Sequence, residues 1–409
     1  MSRRLLAFAA VLGPGLVAAN AGNDAGGIAT YASVGARYGY DLLWMMVLIT
    51  VSLIVVQEMA ARMGAVTGKG LAELIREQYG PRWSLFSTVS VLAANLGICI
   101  SEFVGIGAAL GLAHVPPQAS VPVAAVLVWL LVVRGSYKVA QRVFVAMTLP
   151  FFAYPVAAVL AHPHWHAVGR AIVAPRIHLS GPYVVLFGAT VGTTITPFMQ
   201  LYLQSAVVER GLDVGDIPAE RAEVASASVF ANLIAAFIII ATGATLFLHG
   251  DHVVNNAADA ARALKPFAGR FAEALFAVGL LGASLLAAAI LPVTAAYVLA
   301  ETFGLEKGIS RRAREAPVFV GTITLLLGIG AVVAMIPGVP VIKLLVLVQV
   351  VNGVLLPVTL FFVWRLARDR ELMGEHRNGR LFDVLAGATV LATAALSLLL
   401  VGLTFAGKA

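Results

Sequence analysis

The chain has 409 residues, 60% of them hydrophobic and only 12% charged, where a soluble domain carries roughly 25% charged residues. With a mean hydropathy of +0.92, this composition excludes a soluble globular domain and predicts an all-α polytopic membrane protein. The single cysteine excludes a disulfide framework, and the net charge of +7 falls in short loops between apolar runs, where membrane topology accounts for it better than nucleic acid does.

Eleven apolar runs are long enough to cross a bilayer. Span 1 (7–36) opens with Gly13-Pro14, lacks the small-x-small site of a cleaved signal peptide, and runs into ANAGNDAGGIATYA at residues 19–32. Asp24 there is a carboxylate near mid-membrane, a placement that costs several kcal/mol. Gly22, Gly26 and Gly27 each lower helix propensity by about 1 kcal/mol relative to alanine. The helix is expected to unwind here and to free backbone carbonyls that lipid cannot satisfy. Carbonyls plus a carboxylate suit a hard cation; a structural salt bridge or a protonated carboxyl is the competing reading.

Spans 2 (40–62) and 3 (84–112) follow. Span 3 carries Asn95, Ser101 and Glu102, the second intramembrane carboxylate. Glu102 has no basic partner on its own span, so it reads as a proton or cation relay or as part of a packed polar network. After spans 4 (120–134) and 5 (143–161) comes HPHWH, with His162, His164 and His166. Close histidines can bind metal, but a solvated amphipathic loop is the expectation.

Span 6 (182–209) opens with Gly181-Pro182 and, about eleven residues on, becomes GTTITP (192–197), at the same depth as the break in span 1. Pro197 has no amide hydrogen and clashes with the preceding turn; a break before it would expose the carbonyls of Thr193 and Thr194 toward Asp24, beside the hydroxyls of Thr193, Thr194 and Thr196. An all-oxygen set suits magnesium, calcium or manganese rather than zinc or copper. Glycines that only permit close packing, and a proline that only kinks, remain the alternatives. Spans 7 (224–249, with Asn232), 8 (271–300), 9 (317–336), 10 (341–364) and 11 (382–406) complete the chain. In span 10, Gln349 and Asn352 share one helical face.

Placing the N-terminus inside puts about 20 of the 28 basic residues on the cytoplasmic side. That predicts a plasma-membrane protein with a cytoplasmic N-terminus and an extracytoplasmic C-terminus. Spans 1 and 6 then run in opposite directions. The expected plan is an inverted repeat of five helices with broken helices 1 and 6, the LeuT-like arrangement. Its boundaries are 1–161 for the first repeat, 162–365 for the second, and 366–409 for a linker and helix 11.

These stretches resemble the Nramp family of divalent metal-ion transporters. GPGLVAANAGNDAGGIATYASVGARYGYDLLW is similar to that family's helix 1, VTGKGLAELIREQYG (66–80) to its loop after helix 2, and SEFVGIGAAL (101–110) to its helix 3. TPFMQLYLQSAVVERG (196–211) resembles its helix 6 and VQVVNGVLLP (348–357) its helix 10. The resemblance keeps Asp24 and Glu102. The family's proline falls on Ala25, its asparagine ligand on Gly27, its methionine ligand on Thr196, its helix-6 histidine on Phe198 and its helix-3 aspartate on Cys99. Loss of a thioether removes a preference for softer metals, and Gly27 leaves room for an ion that keeps part of its water, as magnesium does. The departures resemble the branch of Nramp-related magnesium transporters.

The resemblance implies a transporter, not an enzyme, importing magnesium and also manganese by alternating access. Helices 1, 6 and 10 would swing against helices 3, 4, 8 and 9, without obligatory proton coupling. The expected ligand set is Asp24, Asn23, Gly27, Thr193, Thr196 and Gln349, with Glu102, Asn352 and Asn232 as relay or accessory groups. No cofactor is expected; the partners are the transported ion and the lipid bilayer, with the chain as a monomer. The alternatives are a proton-coupled manganese or iron transporter and an organic-cation or amino-acid transporter of the same fold.

Overall fold

A computed structural model describes residues 23–134, 146, 149–178, 180–250, 252–308 and 314–407. Among these the secondary structure is helical, without strands. In chain order the helices are α1 (Ala25–Tyr38), α2 (Leu43–Thr67), α3 (Leu71–Tyr79), α4 (Pro81–Gly111), α5 (Pro117–Val133), α6 (Ala153–Leu160) and α7 (Trp165–Val173). There follow α8 (Gly181–Thr194), α9 (Pro197–Glu209), α10 (Ile217–Thr245), α11 (Ala272–Phe303), α12 (Pro317–Ala334), α13 (Val341–Ala367) and α14 (Arg380–Phe405), with short helical turns before α11 and α14.

Eight stretches among the described residues are long and apolar enough to cross a membrane, and α5 is a shorter apolar helix. They correspond to spans 2–4 and 6–11 of the sequence reading. Residues 7–22 of span 1, with Gly13-Pro14, and most of residues 143–148 of span 5 lie outside the described residues.

The elements begin and end where local chemistry requires. Pro81, Pro197 and Pro317 open α4, α9 and α12, at the position where a missing amide hydrogen costs nothing. Gly68 and Gly304 close α2 and α11 in the left-handed conformation, with φ of 63° and 67°.

Two groups of helices share one buried core. In the first, α4, α5, α11 and α12 pack on one another. In the second, α1 lies against α10, α13 and α8, while α9 and α10 pack on α2. Helix α13 touches both groups and also carries α14. Nearly every residue of α1 is buried, as expected for a helix surrounded by others.

Glycine sets the closest approach. Gly188 and Gly192 form a small-xxx-small stripe on α8 that meets Gly353 of α13. A Cβ at Gly192 would overlap the Gln349 carbonyl and come within 2.5 Å of the Gly353 nitrogen, both backbone atoms that no rotamer change can move.

The basic residues counted between spans in the sequence do not all sit in loops. Arg62 lies inside α2, 3% exposed, with its Nε 3.0 Å from Glu58 Oε1. Its guanidinium also donates to Asn378 Oδ1 at 2.7 Å and to the His376 carbonyl. Arg221 of α10 donates to the same Glu58 at 2.6 Å. Two helix ends and the segment before α14 are thus joined around one buried carboxylate.

Replacing Gly192→Ala is expected to destabilise the protein by about 1–3 kcal/mol or more through overpacking. Gly328→Ala on α12, where an added Cβ meets nothing within 4 Å, is expected to be neutral. Unfolding of the two variants in detergent, compared with wild type, checks this.

Candidate functional site

Asp24 is the N-cap of α1. It is 1% exposed, and its Oδ1 accepts from Gly27 N–H at 2.6 Å. The helix therefore starts beside the carboxylate: the glycines do not extend it backward, and Asp24 satisfies an amide that the first turn leaves without a helical partner. The half-helix dipole adds its positive end at the same place.

A second carboxylate reaches the same helix end. Glu102 of α4 is fully buried; its Oε2 accepts from Ala25 N–H at 3.3 Å, and its Oε1 from the Ser101 hydroxyl at 3.2 Å. Gly105, one turn further along α4, permits this approach, because a Cβ there would come within 2.5 Å of the Ala25 Cβ and 2.6 Å of Ser284 Oγ. The packed-network reading of Glu102 thus has a concrete form: Asp24 and Glu102 bond successive parts of one helical turn.

The second break is at Ile195 and Thr196, between α8 and α9. Ile195 has φ −120°, ψ 73°, and Thr196 is extended at φ −77°, ψ 146°. The helical ladder of α8 ends with Ile195 N–H donating to Val191 at 2.9 Å, and Pro197 cannot continue it. The break in span 6 lies where the GTTITP motif predicts it. Tyr31 joins α1 to the end of α8, its hydroxyl 2.9 Å from Thr194 Oγ1.

Helix α13 reaches both the start of α1 and the α8–α9 break. Gln349 Nε2 donates to Asp24 Oδ1 at 3.4 Å, and the Gln349 backbone lies against Gly192 of α8. Asn352 Nδ2 donates to Gln349 Oε1 at 2.8 Å. Gly26 leaves the space that the Gln349 amide fills.

Four buried oxygens in this region have no hydrogen-bond partner: Asp24 Oδ2, Thr196 Oγ1, Gln200 Oε1 and Asn352 Oδ1. The Gln200 amide nitrogen is already committed to the Thr196 carbonyl at 3.1 Å. The one thioether on the first turn of α9, Met199, accepts from Gln57 Nε2 at 3.8 Å. What remains for a ligand is oxygen, which is the donor set of a hard cation.

Not every expected residue converges on this point. Asn23 Nδ2 is held by the Ala231 carbonyl of α10 at 3.1 Å. Gly27 contributes its amide to Asp24 and no side chain. Asn232 donates to Thr50 Oγ1 at 2.9 Å, so it ties α10 to α2. Thr193 is fully buried in the last turn of α8. The three histidines of HPHWH form no metal cluster; among the described residues no group of three or more His, Cys, Asp or Glu could hold an ion. Gln200 and Gln57 have roles the sequence reading did not assign. Gln200 sits one turn after Thr196 on the same face, a spacing that does point to it. Gln57 is fully buried on α2 and bonds Met199.

A helical bundle in which one helix starts at a buried carboxylate, beside a second helix broken in mid-span, is the arrangement of a membrane transporter of the LeuT-like fold. The sequence comparisons then give the family. The profile described as "Natural resistance-associated macrophage protein-like" (Nramp) matches residues 15–403, and the chain belongs to that family. It is 32% identical over 410 residues to the divalent metal cation transporter MntH of Ralstonia nicotianae, spanning 94% of this chain and 88% of the relative. It is 30% identical to the Aeromonas hydrophila MntH, spanning 90% and 89%. Among solved structures, an Eremococcus coleocola manganese transporter variant superposes with a TM-score of 0.76 at 20% identity, covering 95% of this chain and 85% of that one. Mhp1, a nucleobase-cation-symport-1 family transporter, shares the fold more distantly, with a TM-score of 0.57 at 14% identity and coverage of 95% and 92%.

Gly26→Ala is expected to push the Gln349 amide off Asp24, since that amide is the flexible end of a side chain and can move. With the amide displaced, its oxygen is no longer available to an ion on Asp24, and cation affinity is expected to fall by about two- to tenfold, with the fold retained. Titration calorimetry with magnesium or manganese, alongside a thermal melt, checks both halves.

Proposed function

We propose that the protein carries divalent cations across the plasma membrane, magnesium first and manganese also, by alternating access and without obligatory proton coupling. The observation that carries this reading is the set of partnerless buried oxygens at the two helix breaks, with the nearby Met199 thioether engaged elsewhere. An oxygen-only site withholds the soft ligand that favours transition metals. The absence of a side chain at Gly27 favours an ion that keeps part of its water.

Asp24 would supply the charge. Thr196, Gln349 and Gln200 would supply neutral oxygens, joined by the Thr193 carbonyl and, through water, by Asn23. The moving part would be α1, α8, α9 and α13, swinging against α4, α5, α11 and α12. On one side of Asp24, α1 is sealed by apolar packing. Ile28 and Ala29 meet Phe276, Leu280, Ile342 and Leu345 around a void of about 10 Å³, room for at most one water. In the predicted orientation that is the outer path. Import would be driven by the membrane potential, about 2.3 kcal/mol per charge per 100 mV.

The interface of α4 with α12 supports uncoupled transport. Cys99 donates its thiol to the Leu326 carbonyl at 3.4 Å, and Gly330 packs on Cys99 and Phe103. Helix α12 carries no ionisable side chain, and Cys99 is the only one on α4 between Arg82 and Glu102. A proton path along this seam would lack the titratable groups that such relays use.

The relatives favour a second reading. Both MntH proteins are named as divalent metal cation transporters and the structural neighbour as a manganese transporter. Proton-coupled manganese transport is therefore the alternative to test. Purified protein in liposomes with magnesium-, manganese- and pH-sensitive dyes separates the two. The proposal expects magnesium entry that calcium or manganese inhibits to different extents, no accompanying acidification, and loss of flux in Asp24→Ala. Acidification tied to manganese entry, with magnesium excluded, would overturn it.

A further inference from the structure

The amide of Gln349 faces Asp24 with the wrong atom for a cation. Its Nε2 donates to Asp24 Oδ1 at 3.4 Å, and its Oε1 is turned away, accepting from Asn352 Nδ2 at 2.8 Å. For Gln349 to offer oxygen to an ion on Asp24, the amide must rotate and carry its N–H₂ to the opposite side. The atom needed there is already present: Asn352 Oδ1 is buried and has no hydrogen-bond partner.

We infer that Gln349 and Asn352 form a two-position amide relay: without an ion, the Gln349 N–H₂ covers the Asp24 carboxylate. With an ion bound, both amides turn over, so that Gln349 Oε1 faces the cation and Gln349 Nε2 donates to Asn352 Oδ1. This deepens the reading of Asp24 as the cation ligand and rests on it.

The chemistry of the two groups makes the exchange nearly balanced. Each primary amide carries a two-donor end and an acceptor end of similar size. Both arrangements contain one Gln349–Asn352 hydrogen bond and leave one end of Asn352 without a partner. What tips the balance is the charge at Asp24, negative when alone and offset when a divalent ion is bound. Gly26 leaves the space around Gln349 Nε2, and both residues lie one helical turn apart on a fully buried face of α13. Asn352 is then a positioning residue, acting on the ion only through Gln349. In the transport cycle the relay would replace a lost ion with a donor on Asp24, so that the empty carboxylate is not left bare in a low-dielectric core.

A double-mutant cycle on magnesium affinity tests this, using full-length protein in detergent. Asn352→Asp keeps the acceptor and removes the donor, which favours the ion-bound arrangement. Its added charge also attracts the ion, so the informative quantity is the comparison with the Gln349→Ala background. The relay predicts that Asn352→Asp tightens binding about two- to tenfold more with Gln349 present than without it. The same factor in both backgrounds would overturn the relay while leaving the cation site intact. Absence of saturable magnesium or manganese binding by the wild type would overturn the site itself. Asn352→Leu, neutral and of similar volume, gives a second measurement. In magnesium-induced infrared difference spectra, the wild type should show side-chain amide carbonyl changes that Asn352→Leu partly removes. Identical spectra in that region would contradict the relay.

Discussion

One buried carboxylate organises this molecule. Asp24 would be costly in the core of a membrane bundle without donors, and the protein supplies them by starting a helix beside it. The α1 amides bond Asp24 and Glu102, and the side-chain amide of Gln349 joins Asp24. These donors exist because α1 begins at residue 25, which leaves the amides of its first turn without helical partners. The helix start is thus a condition for keeping the charge, and the charge gives that start its use.

The rest of the fold holds that arrangement in place. Small residues bring three helices close enough to serve one site: Gly105 on α4, Gly192 on α8 and Gly353 on α13. Larger residues there would move α13, and with it Gln349, away from Asp24. The Glu58–Arg62–Arg221 network with Asn378 closes the opposite end of α2 and α10. It joins α2 and α10 to the segment before α14.

Much of this was legible in the chain. Composition alone identified a polytopic membrane protein, and the glycines around Asp24 and Pro197 pointed to the stretches where α1 starts and α8 gives way to α9. The helix-6 break falls at Ile195–Thr196, within the quoted motif. What the sequence could not supply was direction. Asn232, a polar residue in an apolar span like Asn352, bonds Thr50 on a different helix. Periodicity places a residue on a face but does not say which neighbour that face meets. Arg62 looked like a loop cation because it ends an apolar run, yet α2 continues to Thr67 and buries it. Nor could spacing reveal that the Gln349 amide presents nitrogen to Asp24, because that depends on Asn352 one turn away.

The central claim is that ion choice follows from a donor set of oxygens with no thioether. Thr196, whose hydroxyl has no protein partner, is where the family resemblance puts a methionine. The most direct measurement is the ratio of magnesium to manganese flux in liposomes for wild type and Thr196→Met. The account predicts that the methionine depresses magnesium flux and shifts the ratio toward manganese by about tenfold or more, some 1.4 kcal/mol of discrimination. An unchanged ratio in a folded, active variant would contradict it.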